Sequence, residues 1–319
     1  MVTPFLRSLF MNPLSKRLIT VGAFMAMAAT ATPAYAAAPA DDVVVNGSLD
    51  NGVKGWWASK NTPIKVTGGR LCAQVPTGGD NVWAAMVGQS GIAVEAGQTY
   101  QLSFEATATK TTRIRSVVQG GGEKHAAIVD GYPEVGGSPK KFTYAATAKV
   151  SDSEAQVLFQ VGGADTPYTL CLDNVSLVPV HQSVVNGSLD NGVKGWWASK
   201  NTPIEVTGGR LCAQVPAGGD NVWAAMVGQS GIAVEAGKMY RLSFKASATR
   251  TVKIRSVVQG GGEKHTAIVD GYPEVGTGSR TYAYQNTAKT SDQEAQVLFQ
   301  VGGADAPYTL CLDDILLTD

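Results

Sequence analysis

Gln156-Val157-Leu158-Phe159-Gln160 returns unchanged as Gln296-Val297-Leu298-Phe299-Gln300. A β-strand sends successive side chains to opposite faces. Val157, Phe159 and Val161 therefore point into a core, while Gln156, Leu158 and Gln160 point the other way. The second face is uncharged and presents two amides about 13 Å apart, each able to donate and to accept. Such a row suits a ligand rich in hydroxyl groups better than one carrying phosphates or carboxylates; the alternative is a solvated strand face.

The repetition extends far beyond this stretch. Residues 44–177 align without a gap with 184–317, and 26 of the 134 pairs differ. Units of this length are two copies of a whole domain rather than solenoid repeats. In the first copy, strands are expected at 43–46, 64–66, 70–75, 82–87, 91–94, 100–108, 113–119, 126–129, 141–148, 155–161 and 168–177. Gly68-Gly69 marks a hairpin turn. Gly120-Gly121-Gly122 reads as a loop, without the Lys-Ser/Thr of a phosphate-binding loop. Tyr100, Leu102, Phe104 and Ala106 alternate with Gln101, Ser103, Glu105 and Thr107. Many short alternating strands predict an all-β protein of two tandem jelly-roll β-sandwich domains.

The expected organisation is a signal peptide at 1–36, a short linker at 37–42, modules at 43–179 and 184–319, and a joining segment at 180–183. Lys16 and Arg17 precede an apolar run that is too short for a membrane span, and Ala34-Tyr35-Ala36 supplies a small-x-small cleavage site. The leader and two modules are expected to fill the 319 residues, and the mature chain to be secreted, soluble and monomeric. Charged residues make up 16% of the chain, with 26 basic and 26 acidic. No basic footprint for nucleic acid and no polybasic membrane patch results. Cys72 and Cys171, like Cys212 and Cys311, stand 99 positions apart. Four cysteines allow three pairings, and the duplication favours one bridge inside each half. Zinc is not expected, because no CxxC or closely spaced Cys/His pair occurs.

Differences between the copies cluster at 98–113 and 137–146 and include the charge reversals Lys65/Glu205 and Glu105/Lys245, expected on solvated surface. Trp56, Trp57, Trp83, Arg115, His125, Gln156 and Gln160 all match their counterparts. In 112–119, Ile114 and Val118 are expected inward, and Arg113, Arg115, Val117 and Gln119 outward. An outward guanidinium offers a planar fork of donors for vicinal hydroxyls; a plain surface arginine is the alternative. One of Trp56 and Trp57 is expected in the core and the other exposed, where a flat ring suits the C–H face of a sugar. Catalysis finds little support. Glycoside hydrolysis needs two carboxylates flanking the bond, yet the acids fall in expected turns, as at Asp50, Asp80, Asp130 and Asp152. His125, His181 and His265 accompany no nucleophile motif.

The combination of Asn46-Gly47-Ser48-Leu49-Asp50, Gly55-Trp56, Gly97-x-x-Tyr100, Gln156–Gly163 and Leu172-Asp173-Asn174-Val175-Ser176-Leu177 resembles carbohydrate-binding module families 4 and 9 across each whole repeat. The resemblance implies a jelly roll with an open groove for a single glycan chain, a β-glucan such as amorphous cellulose foremost. Matched to groove positions are Arg115, Gln156 and Gln160, with Arg255, Gln296 and Gln300 in the second copy; Trp57, Trp83 and His125, with Trp197, Trp223 and His265, are the further binding candidates. Disulfides Cys72–Cys171 and Cys212–Cys311 are implied, as is one structural Ca²⁺ per module, at Ser48, Gly69 and Asp173 and at Ser188, Gly209 and Asp313. Where cellulose-binding relatives carry groove tyrosines, this chain has Ser59 and His125, and likewise Ser199 and His265. Two further readings are a glycoside hydrolase or an accessory fragment of one, and a surface adhesion or scaffold protein.

Overall fold

Alternation and turn chemistry together build two sandwiches from one repeated plan. The computed structural model describes residues 42–79, 81–122, 125–219, 221–263 and 265–319. The expected signal peptide, the linker up to residue 41 and Asp80 lie outside them. The first module contains β1 (Trp57–Ala58), β2 (Ile64–Thr67), β3 (Arg70–Val75), β4 (Met86–Val94), β5 (Thr99–Ala108), β6 (Thr112–Arg113), β7 (Arg115–Gln119), β8 (Ala127–Gly131), β9 (Glu134–Val135), β10 (Lys140–Thr147), β11 (Asp152–Gln160) and β12 (Tyr168–Val180). A front sheet has the order β1-β4-β11-β7-β8, and a back sheet the order β10-β5-β12-β3-β2. All their pairings are antiparallel. The chain crosses repeatedly between the two sheets, as a jelly roll does. The second module repeats the plan from β13 (Trp197–Ala198) to β24 (Tyr308–Thr318), with front order β13-β16-β23-β19-β20 and back order β14-β15-β24-β17-β22.

The expected strands need four corrections. Residues 43–46 enter a turn instead, where Asn46 is left-handed (φ 57°) and its amide donates to the carbonyls of Gly52 and Lys54. Residues 82–84 form a 3₁₀ turn, and β4 begins after it and runs through Gly91, whose φ of +74° bridges the two expected strands. The segment 113–119 breaks at Ile114, which is fully buried and donates its N–H to Pro133 O. Asp130 and Asp152 lie on strands, not in turns, whereas Asp50 does sit in a turn. Gly68-Gly69 joins β2 to β3 with both residues at positive φ (57° and 76°), a conformation glycine adopts without cost.

Between the sheets, Val157 and Phe159 from β11, with Val161 just beyond it, meet Leu102 and Phe104 from β5 and Leu170 and Leu172 from β12. Phe159 packs edge-on to Phe104 at 4.8 Å, and Trp56 lies 6.4 Å from Phe159. The buried Tyr168 hydroxyl donates to Val161 O at 2.6 Å, tying the end of β11 to β12. Cys72 and Cys171 are direct partners across β3 and β12 and are bridged, as are Cys212 and Cys311. Each bridge closes a loop of 99 residues inside one module.

Loss of one bridge by a Cys→Ser pair is expected to lower the stability of its module by up to about 4–5 kcal/mol, read from chemical denaturation. A second expectation concerns alkali. Burial pushes the Tyr144, Tyr168 and Tyr308 hydroxyls from their ordinary value near 10 up to about 12. The folded state thus favours the neutral phenol. Stability from this source is complete below pH 10 and is lost as pH rises toward 12. Tyr168→Phe should flatten that fall and cost about 1–3 kcal/mol at neutral pH by stranding Val161 O. Denaturation at several pH values checks both.

Candidate functional site

The core alternation of β11 leaves Gln156, Leu158 and Gln160 on the outer face of the front sheet. Its register carries one row across all five strands: Trp57 opposite Gly88, Gly88 opposite Leu158, Leu158 opposite Val117, and Val117 opposite Asp130. Directly paired residues share a face, so this is one surface line spanning about 19 Å at ordinary strand spacing. It is not a plain solvated face. Leu158 is only 1% exposed and Val117 is fully buried, although neither belongs to the inter-sheet core. Gly88 makes room for this packing. A Cβ there would meet Leu158 Cδ2 at 2.5 Å and Trp57 Cζ2 at 3.3 Å.

Polar rows flank the apolar line on both sides. On one side, Ser90 Oγ accepts hydrogen bonds from Trp57 Nε1 (2.9 Å) and Gln156 Nε2 (3.1 Å). Gln119 pairs with Gln156 across the strands, and its amide lies 3.2 Å from His125 Nδ1. On the other side, Gln160 lies opposite Met86 and Arg115. Arg115 donates through Nε and Nη2 to the two oxygens of Asp130, both at 2.8 Å, and through Nη1 to Gln160 Oε1 at 3.4 Å. The bidentate hydrogen bond to Asp130 outweighs partial burial and raises the guanidinium above its ordinary value. Tyr132 lies beneath Arg115 (5.8 Å) and Arg113 (5.3 Å), with its ring half exposed. An arginine fixed by a planar carboxylate presents its remaining donor in a set direction.

The second module reproduces this arrangement. Trp197 donates to Ser230, Arg255 grips Asp270 at 2.8 and 2.7 Å and reaches Gln300 at 3.4 Å, and Gln259 lies 3.1 Å from His265. Gln296 pairs with Gln259, and Tyr272 underlies Arg255 at 5.7 Å. The structure therefore gathers Trp57, Arg115, His125, Gln156 and Gln160 on one face, with Trp197, Arg255, His265, Gln296 and Gln300 on the other. Trp56 is the core member of its pair, its indole N–H donating to Asn46 O. Trp83 and Trp223 stand apart from the rows on 3₁₀ turns, 56% and 57% exposed. The Trp83 turn nonetheless packs at the Gln160 end of β11, where Gly162 N–H donates to Val82 O.

Sequence reasoning missed Asp130, Tyr132 and Ser90 and their copies Asp270, Tyr272 and Ser230. The partnership of Asp130 with Arg115 is long-range. Asp130 and Asp270 act as counter-ions to arginine, and the flanking rows are amide, hydroxyl and imidazole. That set of groups can exchange hydrogen bonds with hydroxyls on both edges of an apolar strip.

The expected calcium residues share a corner of each module. Gly47 O accepts Val175 N–H at 3.0 Å, and Arg70 Nε lies 3.9 Å from Asp173 Oδ2, beside the Gly68-Gly69 turn. Burial, and then the fields of Glu105 and Asp50, hold the Asp173 carboxyl above its ordinary value. Asp313 is raised by burial and by Asp314. Ser48 and Ser188 spend their hydroxyls on Asp50 and Asp190. Among the described residues no group of three His, Cys, Asp or Glu side chains converges on a metal position, so backbone oxygens must supply most of any ligand set.

Residues 41–170 and 181–310 each match the family described as Carbohydrate binding domain, CBM_4_9. Endoglucanase C of Cellulomonas fimi is 32% identical over 93% of this chain, which spans 28% of that enzyme. The N-terminal cellulose-binding domain of the Cellulomonas fimi β-1,4-glucanase C is 33% identical, covering 42% of this chain and 95% of its own, with a TM-score of 0.38. The second such domain is 28% identical, covering 44% and 96%, with a TM-score of 0.39. Two repeats that each satisfy the family pattern, on two sandwiches with one shared outer-face arrangement, place this chain in the CBM_4_9 carbohydrate-binding domain family as a tandem of modules.

Proposed function

We propose that each module holds a single neutral polysaccharide chain, a β-glucan of the cellulose type, along the outer face of its front sheet, and that the protein acts outside the cell. One observation carries the reading: Trp57 at the end of a packed row of Leu158 and Val117, bordered on both sides by amides, with an arginine fixed by Asp130. The part-exposed Trp57 ring, lying over Gly88, suits the C–H face of a sugar ring, and the bordering amides suit its equatorial hydroxyls. A charged polymer would find no complementary field, because Asp130 already neutralises Arg115. The cellulose-binding domains of the Cellulomonas fimi glucanase support the choice of sugar. Two intramodule disulfides fit an oxidising compartment. Individual sites should be weak, since sugar hydroxyls exchange water bonds for protein bonds at small net gain. Two linked sites raise apparent affinity on a long polymer when both engage.

We further propose a structural Ca²⁺ at the Asp173 corner. A part-buried carboxyl, raised by burial and then by neighbouring acids, is relieved by a cation, and an oxygen-rich corner suits Ca²⁺. In the second module, Lys245 Nζ already lies 2.7 Å from Asp314 beside Asp313, so the Asp313 corner should bind more weakly.

Affinity electrophoresis in gels containing cellulose derivatives, mixed-linkage glucan, xylan or mannan tests the main reading. Retardation by β-glucan is expected, and free migration in every gel would sink it. In a chain carrying Gln300→Ala to silence the second module, Gln160→Ala should weaken the remaining binding at least about tenfold, roughly 1.4 kcal/mol, with the melting temperature unchanged. A large fall in that temperature would make Gln160 structural instead. Release of reducing sugar by the purified chain would assign hydrolysis. For calcium, melting in millimolar Ca²⁺ should exceed melting in chelator by a few degrees, and Asp173→Asn should remove most of the difference.

A further inference from the structure

The back sheet of the second module lies against the side of the first module where strands β8 and β10 run. Arg241 Nη2 donates to Thr143 O at 2.9 Å, and Lys149 Nζ pairs with Asp190 at 2.9 Å. A cleft of about 950 Å³ remains between them, lined by both modules. The two copies differ where they meet. In the second module, Arg241, Lys245, Thr281, Asp314 and Leu316 line the cleft where the first module has Gln101, Glu105, Lys141, Asn174 and Ser176. The first module contributes Ala145 and Ala146, small where the second has Gln285 and Asn286. The Glu105/Lys245 reversal is therefore part of a contact and not free surface. Lys65 and Glu205 are exposed, as expected.

Asp130 belongs to both features. It ends the row that starts at Trp57, and it lines the cleft. Its field also reaches Lys245 of the second module. There burial works against the ammonium, but the Asp314 hydrogen bond and the acids around it outweigh burial and raise it. The row that begins at Trp57 thus ends at the rim of the cleft. The equivalent end in the second module is more open: Tyr272 is 68% exposed and Tyr132 50%. Asp130, Asp152 and Asp314 face Lys149, Arg241 and Lys245 around the cleft, so its carboxylates and cations balance.

We propose that the inter-module cleft is a further glycan site continuous with the first module's row, taking the sugar units of the same neutral chain beyond Asp130, with Lys245 as a hydroxyl partner. The first module is then the longer of the two sites. The proposal rests on the binding reading above.

The test is calorimetric titration of the full chain with cello-oligosaccharides of increasing length, one module silenced at a time by Gln160→Ala or Gln300→Ala. With the first module active, affinity should keep rising at lengths where the second has levelled off, by on the order of fivefold or more, the size of one net hydrogen bond. Lys245→Glu, which installs the first module's residue at that position, should abolish the extra rise. Arg241→Gln, which removes the donor to Thr143, should do the same. Identical plateaus for both modules, or an extra rise that survives Lys245→Glu and Arg241→Gln, would overturn the cleft site and leave the binding reading intact. Absence of binding at every length by both silenced chains would overturn the two together.

Discussion

The pleat of β11 constrains everything around it. Because its side chains alternate, seating Ala155, Val157 and Phe159 between the sheets commits Gln156, Leu158 and Gln160 to the outer face. A slip of one residue would exchange the two sets and place amides in the core. The core therefore enforces the register that aligns Leu158 with Gly88 and Val117. Stability and surface chemistry are two consequences of one packing choice, and Phe159 wedged edge-on to Phe104 is where that choice is anchored.

On that fixed register the polar groups are arranged by partners from other strands. Ser90 on β4 orients both Trp57 and Gln156, and Asp130 on β8 orients Arg115. Arg115 and Asp130 are both partly buried, where an unpaired charge would be costly. Their bidentate geometry offsets that cost and leaves Nη1 directed toward Gln160. The aromatic contribution is divided: Trp57 lies within the row, Tyr132 sits beside Arg115 at the β8 edge, and Trp83 stands on a separate turn. Ser59 illustrates how a position can change its role. Its hydroxyl accepts from Met86 N–H and helps hold the start of β4.

What could be read from the sequence was local or periodic. The alternation of 155–161, the inward and outward split of Trp56 and Trp57, the Gly68-Gly69 turn and one bridge per half all follow from spacing and duplication. Relations between distant residues could not be read this way. Ile114 interrupts a run that alternates well, because its N–H is claimed by Pro133. Asp130 looks like a turn acid until β7 lies beside β8 and supplies Arg115. Gly88 looks like one glycine among 37, although the packing of Trp57 on Leu158 depends on it.

The duplication carries its own physical lesson. Substitution between the copies spares the outer-face rows, and part of it falls on the surfaces where the modules meet. A charge reversal such as Glu105 to Lys245 costs little on an isolated module. Once Asp314 replaces the Asn174 equivalent beside it, the new ammonium gains a partner, and Leu316 in place of Ser176 becomes buried. Arg241, which replaces the Gln101 equivalent, reaches the Thr143 carbonyl of the first module. Two sequences that began alike have become unlike on opposite sides of one contact. The surrounding charges and the exposure of their tyrosines consequently differ even though the row residues are the same.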